Sequence, residues 1–164
     1  MKRGALRTLF TLTLLLGLAA AAMAQDNPWC STARVAGVWG YTKTGTLYLP
    51  NGTAAPFGSV GTFTLDADGY AWGTLLASVA GSVAEGELDG TFTIEPDCTG
   101  SMTVGVYDPS GNLLRTISMS IVVDDKAREL RALVTSLVLP NGMALPAVIT
   151  GQARRLFPNP ADKD

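Results

Sequence analysis

The sequence predicts an all-β protein, an eight-stranded antiparallel up-and-down barrel behind an N-terminal signal-peptide helix. Three observations carry this expectation. Beyond Cys30 the apolar residues recur with a period of two. Ile117, Met119, Ile121 and Val123 stand against Thr116, Ser118 and Ser120, and Phe92 and Ile94 against Thr91, Thr93 and Glu95. Such alternation marks antiparallel strands with one buried face. Turn residues cut the chain at short intervals, as in Asp66-Ala67-Asp68-Gly69 and Asp108-Pro109-Ser110-Gly111-Asn112. Gly and Asn there tolerate positive φ. Two hairpin units also recur. Gly61-Thr-Phe-Thr-Leu-Asp-Ala-Asp-Gly69 returns as Gly90-Thr-Phe-Thr-Ile-Glu-Pro-Asp-Cys98, and Leu47-Tyr-Leu-Pro-Asn-Gly-Thr-Ala-Ala-Pro56 returns as Leu137-Val-Leu-Pro-Asn-Gly-Met-Ala-Leu-Pro146. Repeated hairpins form a meander, and a meander of eight strands hides both edges by closing.

The N-terminus comes first. Lys2, Arg3 and Arg7 precede the apolar run Leu9 to Ala22, and Ala22-Met23-Ala24 has the small-x-small pattern of a cleavage site. This is the three-part pattern of a secretory signal, expected over residues 1 to 24 with cleavage after Ala24. The run falls short of the ~20 residues that a spanning helix needs. Asn27-Pro28-Trp29 before Cys30 does not match a lipid-attachment motif. Residues 25 to 155 then form a single domain. Its strands are expected at about Ala36–Leu49, Ser59–Leu65, Tyr70–Val79, Val83–Ile94, Ser101–Tyr107, Leu113–Val123, Glu129–Val138 and Ala147–Arg155. Residues 156 to 164, polar and proline-bearing, are expected to be a disordered tail. The expected address is secreted or periplasmic.

Signal cleavage removes three of the 12 basic residues and none of the 14 acidic ones, leaving an acidic chain. That argues against nucleic acid, which needs a basic footprint, and against anionic membrane surfaces. No later stretch is apolar and long enough to span a membrane. The chain has no histidine and two cysteines, so a Cys/His zinc site, a Ser-His-Asp triad and a Cys-His pair are all excluded. No metal and no cofactor are expected.

Up-and-down topology sorts the loops. The turns after strands one, three, five and seven share one end, which carries both Pro-Asn-Gly loops with Phe57, Met143 and Leu145. The other end holds both chain termini and collects Asp66, Asp68, Glu95, Asp97, Asp124 and Asp125. Cys30 and Cys98 both fall there, so a disulfide is expected on geometric grounds and from the oxidising compartment. The alternative is two free thiols.

Gly90-Thr-Phe-Thr-Ile-Glu-Pro-Asp-Cys-Thr-Gly-Ser-Met-Thr103, with the hairpin that begins at Gly61, resembles a group of secreted bacterial proteins described as allene-oxide-cyclase-barrel-like, of the calycin type. The similarity spans most of Cys30 to Arg155. Gly37-Val38-Trp39 in strand one and Arg155 closing strand eight look like the lipocalin arrangement, in which a late arginine covers a tryptophan at the barrel base. The other lipocalin motifs are absent. The cyclase's catalytic residues find no matching positions, so none is carried over.

Three functional readings follow. The leading one is a barrel that binds a small apolar or amphipathic molecule through the Pro-Asn-Gly end. Its candidate residues are Arg115, Tyr41, Lys43, Phe57 and Met143. Phe63, Leu65, Phe92, Ile94, Met102, Val104, Ile117, Met119, Ile121, Leu133 and Ile149 are expected to point inward, around either a filled core or a cavity. Arg115 is expected at the rim, reaching solvent or turned outward by a bulge. An inward arginine would need an anion. The second reading is a protein-interaction or inhibitor-like envelope module with a filled barrel, its partner unspecified. The third is a cyclase or isomerase, which would need Tyr41 or Tyr107 deep in a cavity beside a carboxylate, and an enzyme is the less expected outcome. Asp66-x-Asp68-Gly69 is read as a self-capping turn rather than a calcium loop, and Glu85, Glu87 and Asp89 as a solvated strand face. Asn51-Gly52-Thr53 would accept a glycan only in a suitable host.

Overall fold

The computed structural model describes residues 29–124 and 126–157. The expected signal peptide, Asp125 and the tail beyond Phe157 lie outside the described residues. Eight strands follow in order: β1 Gly37–Tyr48, β2 Ala54–Leu65, β3 Tyr70–Val79, β4 Ser82–Ile94, β5 Thr99–Tyr107, β6 Leu113–Asp124, β7 Glu129–Val138 and β8 Ala147–Arg155. Each pairs antiparallel with its neighbours in sequence, and β1 pairs with β8, so the barrel is closed.

The turns explain the closure. In both Pro-Asn-Gly turns the asparagine Oδ1 accepts the backbone N–H two residues on, from Thr53 and from Met143. The glycine N–H groups bond back to the carbonyls of Leu49 and Leu139, with Gly52 and Gly142 at φ of 80° and 83°. At the opposite end Asp66 accepts the N–H groups of Asp68 and Tyr70. The carboxylate of Asp66 thus caps its own hairpin turn.

One strand begins earlier than the sequence indicates. β2 starts at Ala54 rather than Ser59. Pro56 reads as a strand breaker, yet its carbonyl accepts the N–H of Ala80 at the β3–β4 turn. Its missing N–H faces that same side, beyond the last β2–β3 partners Phe57 and Val79. No ladder bond is lost there, so proline is tolerated.

A second correction concerns Leu133, which faces outward and is 48% exposed. The β6–β7 register shifts between Ser118 and Met119, pairing Ser118 with Ser136 but Met119 with Val134. Thr135 is the extra residue of that bulge. It moves the inward phase onto Leu130, Ala132 and Val134, because one inserted residue swaps faces. The other ten side chains expected inward are all buried.

The base is plugged by residues 29–36. Val35 and Trp39 are wholly buried, and Trp39 Nε1 donates to the Val35 carbonyl at 2.9 Å. Ile94 N–H donates to Thr32 Oγ1. The disulfide Cys30–Cys98 ties this segment to the β4–β5 turn, with 4.8 Å between the Cα atoms. Cys98 has φ of 69° at the position where the first repeat carries Gly69, at 93°. A left-handed cysteine is uncommon and costs about 1 kcal/mol, so the cross-link and the strained backbone fall on one residue. A structural disulfide of this kind belongs to an oxidising compartment. The Arg155 guanidinium lies 5.2 Å from the centroid of the Trp39 ring and donates to the Arg34 carbonyl. Leu156 continues past β8, giving its N–H to Val38.

Candidate functional site

The inward faces are almost wholly apolar. Among the described residues the inward polar side chains are Tyr41, Lys43, Ser59 and Arg115, with Arg155 at the base. Strand phase puts them there: Tyr41 and Lys43 alternate with the exposed Thr42 and Thr44 between the buried Trp39 and Leu47. Arg115 shares the phase of Ile117 and Met119 and pairs with the buried Val106. The β5–β6 register shift falls beyond it, where Tyr107 pairs with Leu113 and Leu114 is the extra residue. That bulge therefore leaves Arg115 inward, half-buried near the Pro-Asn-Gly end.

Among the described residues the interior holds a cavity with about 40 Å³ open to the centre of a water molecule. That is room for about two or three waters. Phe63, Leu88, Met102, Val104, Met119, Ile121 and Leu130 make its apolar wall, and Tyr41, Thr42, Lys43 and Gln152 its polar margin, while Arg115 lies outside the lining. Small residues, Ala132, Gly151 and Ala153, form the side toward β7 and β8. Met102 and Met119 face each other across β5 and β6. Methionine is the side chain best able to repack around a guest.

Two glycines shape the polar margin. Gly61 on β2 is the register partner of Tyr41, and Gly151 on β8 that of Lys43. A Cβ on Gly61 would meet the Thr74 carbonyl first and then Tyr41 Cε1 at 3.0 Å, and one on Gly151 would meet Lys43 Cγ at 2.9 Å. Each glycine leaves the space its larger partner fills.

Lys43 Nζ sits 5.0 Å from the centroid of the Tyr41 ring. Burial, and next the charge of Arg115, lower the Lys43 pKa from 10.5 to about 8. Burial also lowers that of Arg115, against the opposing influence of Tyr41. The Tyr41 phenol is pushed up by burial, offset in part by Ser59 and by the Arg115 charge. Ser59 is near that hydroxyl, but no hydrogen bond of ordinary geometry reaches it. Neither Lys43 nor Arg115 forms an ion pair among the described residues. Carboxylates are absent from the inward positions that are described.

The remaining candidates lie apart from the cavity. Phe57 is buried, paired with Gly45 and Val79, and does not line it. Met143 is 39% exposed on the β7–β8 loop. The Tyr107 hydroxyl lies over Gly105 of its own strand, outside the barrel wall, where a Gly105 Cβ would meet it at 2.7 Å. The end expected to be acidic proves mixed in charge, since Arg131 pairs with Asp124 and Glu129, and Arg154 with Glu129.

Sequence reasoning missed the seam between β7 and β8. Their pairing stops at Leu133 and Thr150, leaving a cleft lined by Val134–Leu137 and Ala144–Ala147. The bulge at Thr135 interrupts the ladder there, and nothing in the sequence marks it. Gly61 and Gly151 were legible in principle, as glycines at inward positions of otherwise alternating strands.

No family model and no curated relative matches this chain. Solved structures do. One is EF1p2_mFAP2b bound to DFHBI, at 12% identity and a TM-score of 0.51, over 82% of this chain and 99% of that one. Another is the S-type phycobiliprotein lyase CPES from Guillardia theta, at 7% identity and a TM-score of 0.41, over 76% of this chain and 89% of that one. The first likeness is one of fold alone. No helix among the described residues is long and apolar enough to cross a membrane, which says nothing of strands.

Proposed function

We propose that this chain is an exported barrel that binds one small amphipathic molecule in its interior, reached from the Pro-Asn-Gly end. The observation that carries this reading is the cavity itself: an apolar hollow, walled by two adaptable methionines and bordered by Tyr41 and Lys43. Protein cores have few voids larger than a water molecule, and this one adjoins a buried lysine and tyrosine, which suits a polar-headed guest. The signal-like N-terminus and the disulfide support export, and the allene-oxide-cyclase-barrel-like resemblance fits the same architecture. The matched structure bound to DFHBI shows only that a barrel of this shape can accommodate a small molecule.

Thermal shift of the purified mature protein against fatty acids, terpenoids and pigments tests the reading, with Ala132→Leu as control. Leucine at position 132 fills the cavity from β7. At least one compound should raise Tm in the parent and fail to do so in Ala132→Leu. A panel without a single shift, or shifts unchanged in Ala132→Leu, would overturn it.

The second reading, a protein-interaction module, is favoured by the outer face of β3. Tyr70 and Trp72 are 58% and 45% exposed there, with Leu76 and Val60 side by side further along. It predicts a protein partner whose binding is lost in Trp72→Ala and kept in Ala132→Leu.

A further inference from the structure

We propose an oxyanion site on the mouth side of the cavity, where Lys43 and the Tyr41 hydroxyl at its margin and Arg115 beyond them hold the carboxylate of an amphipathic acid, and that filling it takes up a proton at Lys43. This rests on the ligand-binding reading above and narrows it to carboxylic acids.

The barrel treats its cations unevenly. Six of the eight described basic residues, Arg34, Lys126, Arg128, Arg131, Arg154 and Arg155, gather at the base. They meet carboxylates, ring faces or backbone carbonyls there, as in Arg131 with Asp124 and Arg34 over Trp29. Lys43 and Arg115 are the other two. Both take inward strand phases, Lys43 midway along β1 and Arg115 near the mouth, close enough for the charge of one to bear on the other. Putting two like charges together inside a wall without a carboxylate is costly. A cation–π contact with the Tyr41 ring, at about 0.5–2 kcal/mol, does not offset it. The missing component is negative charge.

The donors suit a carboxylate. An arginine fork accepts two coplanar oxygens, an ammonium takes a further lone pair, and charge-assisted bonds of this kind are the strong ones. Tyr41 offers a buried O–H without a hydrogen-bond partner. The apolar hollow adjoins Tyr41 and Lys43, so the acid must carry an apolar body.

Proton coupling follows from the same geometry. The charged or titratable groups bearing on Lys43 are Arg115 on β6 and Tyr41 on its own strand. The facing register partners, Ser59 on β2 and Gly151 on β8, do not titrate. Free Lys43 loses its proton near pH 8, and an anion beside it raises that pKa. The anion then binds with proton uptake above about pH 8, and its affinity falls up to about tenfold per pH unit there.

Calorimetry with octanoate and 1-octanol, from pH 7 to 9.5, tests this. Octanoate should bind at least tenfold more tightly than octanol at pH 7, and its affinity should fall above pH 8. The binding enthalpy at pH 8.5 should vary with buffer ionisation enthalpy, which reports the proton taken up. Lys43→Met should weaken octanoate at least tenfold and flatten its pH profile; Arg115→Met should weaken octanoate alone. Octanol binding as tightly as octanoate, or an affinity for octanoate that is flat across pH 8 to 9.5 in the parent protein, would overturn the oxyanion site while leaving interior binding intact. The absence of binding by either probe at millimolar concentration would overturn it as well, and the wider ligand panel then decides the parent reading. The parent's own pH profile serves even if a variant fails to fold.

Discussion

Replacing Lys43 by methionine should stabilise the unliganded barrel. The lysine pKa falls from 10.5 to about 8 on folding, chiefly because the ammonium leaves water and secondarily because Arg115 is near. At ~1.4 kcal/mol per unit this amounts to roughly 3 kcal/mol of destabilisation at neutral pH, an upper bound once the mouth's partial access to water is allowed for. Methionine keeps most of the stem beside Gly151 and carries no charge. The sign is distinctive. A lysine whose folded pKa is depressed leaves the unfolded chain with more protons between pH 8 and 10.5, so stability rises with pH across that window. The penalty is fully present below pH 8. Urea denaturation at fixed temperature from pH 7 to 9.5 measures it. The parent should gain stability from pH 8 upward, and Lys43→Met should start about 2–3 kcal/mol higher and show no such rise. The window closes near pH 10, where the raised pKa of Tyr41 acts with the opposite sign. A parent curve that is flat from pH 8 to 9.5, or a variant less stable than the parent at pH 7, would refute the reasoning.

Three other outcomes are expected. The Cys30–Cys98 bridge spans 68 residues, so its reduction should lower unfolding free energy by about 4 kcal/mol in the chain-entropy picture, and thiol titration of the denatured protein should find no free thiol before reductant and two after. Trp39→Ala removes a wholly buried ring, its hydrogen bond to Val35 and the Arg155 contact, and should cost about 3–5 kcal/mol in chemical denaturation. Gly151→Ala would crowd Lys43 Cγ and the Thr42 carbonyl, at 2.9 Å and 3.2 Å, and should cost about 1–3 kcal/mol; a Lys43→Ala background should recover part of it, and strictly additive losses would count against that contact.

The two ends of the barrel divide the work. The base is closed by the residue 29–36 plug, the disulfide and a set of paired charges. The opposite end has self-capped turns, an interrupted β7–β8 seam and the inward Arg115.

Fold class, strand number, meander order and the cysteine pair were all legible in the sequence. They depend on local signals: period-two alternation over single strands, Asn-Gly and Asp-Gly turns, and the parity of turns that sends Cys30 and Cys98 to the same end. Local signals failed where a residue's role depends on a neighbouring strand. Pro56 sits within β2 because β3 ends opposite it, and Leu133 faces outward because the β6–β7 register slips by one residue. The site belongs to that second kind. Arg115 lies far along the chain from Tyr41 and Lys43, and alone it reads equally well as a rim residue. Closure of the barrel brings β6 into reach of β1 across its interior, and only then do two cations share a wall that holds no carboxylate. Sequence alternation thus determined which faces turn inward, while the size of the remaining cavity and the charge beside it emerged only once all eight strands had packed against one another.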